Sequence, residues 1–158
     1  MKKWALALAL GVAGTGLSGC GETAEAPAGD VEAVPGLTVE NARLVLPPVS
    51  GNPAAIYMDV SYSGERSTTL RAVSVEKSEN AELHETSEWN GGMVMGEMGP
   101  LLLNDGDEVS FEPGGRHIMV FGLEDDVAEG QSLEVTLTVV GGDKTSFEAE
   151  VVAAGADR

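Results

Sequence analysis

Leu133-Glu134-Val135-Thr136-Leu137-Thr138-Val139 alternates apolar and polar residues over seven positions. Successive side chains of an extended chain point to opposite faces, so this segment offers a face of Leu133, Val135, Leu137 and Val139 to a core and its threonines and glutamate to solvent. Gly141-Gly142-Asp143 follows as a hairpin-type turn, and Thr145-Ser146-Phe147-Glu148-Ala149-Glu150-Val151 runs back. Working outward, the same grammar recurs. Leu37–Glu40, Arg43–Leu46, Ala55–Tyr62, Leu70–Val75, Glu82–Glu85, Val109–Phe111 and His117–Phe121 are short alternating segments. Pro47-Pro48, Ser63-Gly64, Pro113-Gly114-Gly115 and Gly122 punctuate them. No stretch carries a long amphipathic helical period, and no internal repeat is present. Seven or more short strands with frequent turns predict an all-β fold, an antiparallel Greek-key sandwich or barrel.

The chain has 158 residues, room for one domain. Aromatics are only 4%, so the core has to be built from Val, Leu, Ala and Ile. The formal charge is −17, from 9 basic and 26 acidic residues. This balance argues against nucleic acid as a partner, because its phosphates would be repelled, and against binding to anionic lipid through a basic patch. There is one cysteine, Cys20. Intramolecular disulfides, CxxC redox chemistry and thiolate zinc sites are excluded with it.

Lys2 and Lys3 precede the apolar run Trp4–Leu17, too short for a comfortable membrane span of roughly 20 residues. Residues 1–19 read as a signal peptide. Leu17-Ser18-Gly19-Cys20 resembles a bacterial lipobox, which makes Cys20 the lipidated N-terminus of the mature chain. Residues 20–36 lack hydrophobic periodicity and read as a lipid-anchored flexible linker, reaching roughly 20–25 Å as a coil. Residues 37–153 form the expected domain, and 154–158 a short tail. Gly21 rather than Asp after the lipidated cysteine favours the outer membrane of a Gram-negative cell, so the expected location is periplasmic and membrane-anchored.

The chemistry-bearing residues are clustered. Both histidines, His84 and His117, and four of the six methionines, Met93, Met95, Met98 and Met119, fall between residues 84 and 119. Thioether sulfur is soft and selects Cu(I), and imidazole suits copper in either oxidation state. A mixed His/Met set without thiolate is thus a copper signature more than a zinc or iron one. His117 and Met119 stand at i and i+2 of one expected strand and share a face, and Met93 and Met95 stand in the same relation within a Gly-rich loop or hairpin. Three segments then converge at one rim of a sandwich. Met58 reads as core, as a lone strand methionine usually is. Asp105 with Asp107, and Asp125 with Asp126, read as loop residues rather than paired catalytic carboxylates.

The spacing His84-x10-Met95-x21-His117-x-Met119 resembles the motif of the PCu(A)C periplasmic copper chaperones. Its context, Ala81-Glu82-Leu83-His84-Glu85 and Glu112-Pro113-Gly114-Gly115-Arg116-His117-Ile118-Met119, is similar to that family as well. The resemblance implies a cupredoxin-like β-barrel. It implies Cu(I) held by His84, Met95, His117 and Met119, with Met93 and Met98 peripheral, and delivery toward the copper centre of a respiratory oxidase or to another chaperone. Two positions depart from the family pattern: Glu85 stands where many members carry Met, and Arg116 where an aromatic is frequent. The end Ala153–Arg158 carries no His/Met-rich extension, so a second copper site is not expected. An electron-transfer cupredoxin needs a Cys ligand and is disfavoured. A copper-storing lipoprotein and a metal-free β-sandwich interaction module remain the alternatives. An enzyme is not expected, since no nucleophile–base pair or cofactor loop is present.

Overall fold

The computed structural model describes residues 33–156. The signal peptide, Cys20 and the linker up to residue 32 lie outside the described residues. Ten strands follow in order: β1 Leu37–Val45, β2 Ala54–Tyr62, β3 Thr68–Val75, β4 Asn80–Trp89, β5 Gly92–Glu97, β6 Leu101–Leu103, β7 Asp107–Phe111, β8 Arg116–Phe121, β9 Ser132–Val139 and β10 Lys144–Val152. Among the described residues there is no helix.

Strand β2 shows why this sequence makes sheet. Ala54, Ile56, Met58, Val60 and Tyr62 are all buried, and the residues between them are not. In β9, Leu133, Val135, Leu137 and Val139 are buried as the alternation predicts. Its hairpin to β10 turns through Gly141 and Gly142, at φ 108° and 101°, a region that favours glycine. The strands run side by side as β5-β4-β8-β7-β2-β1-β10-β9-β3-β6. An added β8–β2 pairing and the packing of β3 beside β4 curl this ribbon around one core. Most pairings are antiparallel. The two exceptions, β1 with β10 and β7 with β8, are parallel. Leu44, Ile56, Leu70, Ile118, Val135 and Val151 are fully enclosed, so aliphatic side chains do fill the interior. Met58, 1% exposed, lies among them.

At the start of the domain, two segments differ from the sequence expectation. The expected strands 37–40 and 43–46 are one strand, β1, bent by a bulge where its register on β2 shifts between Glu40 and Arg43. Asn41 takes φ 54° there, a conformation Asn tolerates better than most residues. Val34–Gly36, expected to be linker, is folded. Val34 is buried, its N–H donates to Thr145 Oγ1 at 2.9 Å, and its carbonyl accepts from the Leu37 N–H. Gly36 sits at φ 81°, where a Cβ would stand 2.7 Å from the Ser63 carbonyl carbon. The ordered domain therefore begins by Val34. Charge and small residues conceal its single apolar anchor.

Candidate metal centre

The face opposite the core on β4, β5 and β8 gathers the soft residues. Leu83, Ile118 and Val120 turn inward from β4 and β8, which leaves His84, His117 and Met119 on the outer face. Register then brings them together. His84 lies directly opposite His117, and Glu82 opposite Met119. On the other side of β4, Met95 lies opposite Thr86 and Met93 opposite Glu88. Both methionines thus share the face of His84, Met93 one step nearer the hairpin tip. The three segments meet as neighbouring strands on one sheet face, in the order β5-β4-β8 with β5 at the edge.

The imidazole rings of His84 and His117 are 6.0 Å apart between centroids, tilted by 44°. His117 Nε2 is 3.2 Å from Met95 Sδ. On the other side of that ring, Nδ1 lies 3.1 Å from the Gly115 carbonyl oxygen. A carbonyl only accepts, so Nδ1 carries the hydrogen and donates, and the Nε2 lone pair faces the sulfur. His117 is 6% exposed, the one buried histidine of the domain. Met95 is 53% exposed, so the pair is reached from solvent through the thioether. Tyr57 and Phe121 flank the histidines, with ring centroids 6.5 Å from His117 and 6.3 Å from His84 respectively. The Arg43 guanidinium lies over Tyr57 at 5.2 Å.

Among the described residues no three His, Cys, Asp or Glu side chains gather as a metal-holding group. A four-ligand site on this face has to draw on thioether sulfur. A metal with bonds of about 2.0 Å to nitrogen and 2.3 Å to sulfur, tetrahedrally disposed, holds those two atoms roughly 3.5 Å apart. The His117–Met95 pair stands close to that separation already.

Of the residues singled out from sequence, Met98 is half-buried against the core, its N–H bonded to the Leu83 carbonyl, and Met93 is exposed. Asp107 accepts from the Asn104 backbone N–H at 2.7 Å, which closes a turn, and Asp126 pairs with Lys77 at 2.6 Å on the surface. Sequence reasoning did not find Tyr57, Phe121 or Glu82. Phe121, four residues from His117, and Glu82, two from His84, share a strand face with a histidine, whereas Tyr57 comes beside His117 only through the register of β2 on β8. The two departures from the family pattern prove to be partners. Glu85 and Arg116 face each other across β4 and β8 and form an ion pair at 3.2 Å. By strand parity neither shares the face of the histidines.

The LpqE-like lipoprotein family model matches residues 37–151. No curated protein matches the sequence. Several solved structures are similar. The copper-bound PCuAC domain from PmoF2 is 21% identical, with 77% of this chain and 96% of that one covered and a TM-score of 0.61. The apo PCuAC domain from PmoF1 is 24% identical over 75% of this chain and 94% of its own, with a TM-score of 0.61. The Cu(I) form of DR1885 from Deinococcus radiodurans is 19% identical over 80% and 83%, with a TM-score of 0.58. At such identities the likeness is one of fold, and the fold is that of a PCuAC domain.

Proposed function

This chain belongs to the LpqE-like lipoprotein family, and from that premise we propose that it is a Cu(I) carrier tethered by lipid outside the cytoplasm. His84, Met95, His117 and Met119 supply two imidazole nitrogens and two thioether sulfurs, a soft set that prefers Cu(I) to zinc or to hard cations. The observation that carries the reading is the approach of Met95 Sδ to the lone-pair side of His117, directly across from His84. An exposed sulfur on an edge strand suits hand-over by ligand exchange. An incoming donor reaches copper at Met95 while the buried imidazole of His117 still holds it. The cargo passes toward the copper centre of a respiratory oxidase or to a second chaperone. Cys20 carries the lipid, and the protein faces the periplasm, on the outer membrane where the cell has one. Copper-bound relatives of the same fold support the reading.

Anaerobic titration of the soluble domain with Cu(I), against a competing chelator of known affinity, tests it. One equivalent is expected to bind tightly, with sulfur and nitrogen in the copper X-ray absorption spectrum. A domain that never withdraws copper from the chelator overturns the carrier and leaves a metal-free interaction module.

A further inference from the structure

The two histidines are held in opposite senses. His117 donates through Nδ1 to the Gly115 carbonyl. His84 instead contacts a carboxylate through Nε2, at 3.0 Å from Glu82 Oε2. An ionised carboxylate only accepts, so His84 carries its hydrogen on Nε2. The second oxygen of Glu82 is also engaged, since Oε1 accepts from Asn80 Nδ2 at 2.8 Å. Asn80, Glu82 and His84 lie on the same face of β4, and the three make one hydrogen-bonded line along the strand. The far end of that line is open. His84 Nδ1 is buried and has no hydrogen-bond partner. A buried lone pair without a donor is costly and uncommon, and a metal ion is one partner that answers it.

Building on the copper-carrier reading, we propose that Glu82 is a positioning residue that locks His84 in the Nε2–H form, so that His84 offers Nδ1 to Cu(I) while His117 offers Nε2. The line Asn80–Glu82–His84 fixes both the ring's rotation and the identity of its free nitrogen before copper arrives. A carboxylate behind a ligand histidine also raises the donor strength of the opposite nitrogen. Nothing in the sequence motif distinguishes the two imidazoles. Their different backing, a carboxylate for one and a peptide carbonyl for the other, does.

The experiment is nitrogen NMR of the imidazole rings in the copper-free domain, followed by Cu(I) titration. His84 is expected to show a pyridine-type Nδ1 and a pyrrole-type Nε2, and His117 the reverse. On loading, the shift should appear at Nδ1 of His84 and at Nε2 of His117. Glu82→Gln keeps the size of the side chain but has one acceptor oxygen for two donors. It should drive the His84 nitrogens toward the averaged signals of mixed tautomers, leave those of His117 in place, and weaken Cu(I) binding about 10- to 100-fold. Asn80→Ala in the Glu82→Gln background frees that oxygen for His84 and should restore both the tautomer and most of the affinity. A merely structural role for Glu82 would lower the melting temperature without moving the His84 nitrogens selectively. The proposal is overturned if His84 in the unaltered domain carries its hydrogen on Nδ1, or if Glu82→Gln leaves both its nitrogen shifts and the affinity unchanged. An unaltered domain that shows the assigned tautomers but takes up no Cu(I) overturns the carrier reading alone, and the Glu82 lock stands.

Discussion

Register on the outer face of β4, β5 and β8 separates single residues that meet His117 from those that stand apart from it. Met95 reaches His117, whereas Met93 lies one pleat farther out, roughly 6–7 Å along the strand. Leucine has nearly the shape of methionine without its sulfur. Met95→Leu and Met119→Leu should leave the fold intact, since such swaps usually cost under about 1.5 kcal/mol, and sharply weaken Cu(I) binding. Met93→Leu should change affinity little. Competition titrations of the three variants, with X-ray absorption to count Cu–S contacts, check this. A Met93→Leu domain as impaired as Met95→Leu would transfer the sulfur role to Met93. At this scale the sequence was informative where chemistry is rare: two histidines and a cluster of methionines stand out in any chain. Tyr57, Phe121 and Glu82 were less legible, because aromatic and acidic residues on a strand have many ordinary uses. Only the register decides that these particular ones touch imidazole.

Elements were legible in proportion to their burial. Strands β2 and β9 advertise themselves because every second residue is enclosed. Strand β5 does not, since all six of its residues are exposed and it holds the edge of the sheet. Without a buried face there is no alternation to read, and Gly92 and Gly96 disguise a strand as a loop. Strand β1 was divided in two by its bulge for a similar reason, as an extra residue breaks the period. That bulge is tied down by Asp59 on β2, which accepts from Asn41 Nδ2 at 2.8 Å and from Ser110 Oγ, on β7, at 2.9 Å. The Asn41 bond, with the Ser110 bond next, holds the Asp59 carboxyl below its ordinary value near 3.8. A lowered carboxylate pKa means that the folded state favours the charged form. The stabilisation is complete above the ordinary value and fades as pH falls through the lowered one. Asp59→Asn should therefore destabilise the domain at neutral pH, by about 0.5–1 kcal/mol for so exposed a site, and the two proteins should converge in strong acid. Urea unfolding at a series of pH values measures it, and a constant gap down to the lowest pH would dissociate Asp59 from the bulge.

Across the whole domain, the start of the described chain and the histidine–methionine face lie at different ends of the same strand. The N-terminal segment enters beside Tyr62 through Gly36, whereas Met119 pairs with Ala55 at the opposite end of β2. Seven residues of strand separate these points, about 23 Å. If Cys20 carries the lipid, Cys20→Ser should move the protein from the membrane fraction to the soluble one while leaving Cu(I) affinity unchanged. Continued membrane association would remove the anchor from the account. The hairpin of β4 and β5 has one more consequence. From residue 33 onward the chain holds one tryptophan, Trp89, which ends β4 and is 71% exposed. It rides on the arm whose two strands carry His84 and Met95, three residues beyond the Thr86 partner of Met95. The domain thus contains its own fluorophore, a solvated indole about 10 Å along the strand from that sulfur. Copper held between His117 and Met95 would still the arm and quench or shift the emission, so that loading and release can be timed by light from the unlabelled protein. In Trp89→Phe the optical signal should vanish and the binding should not.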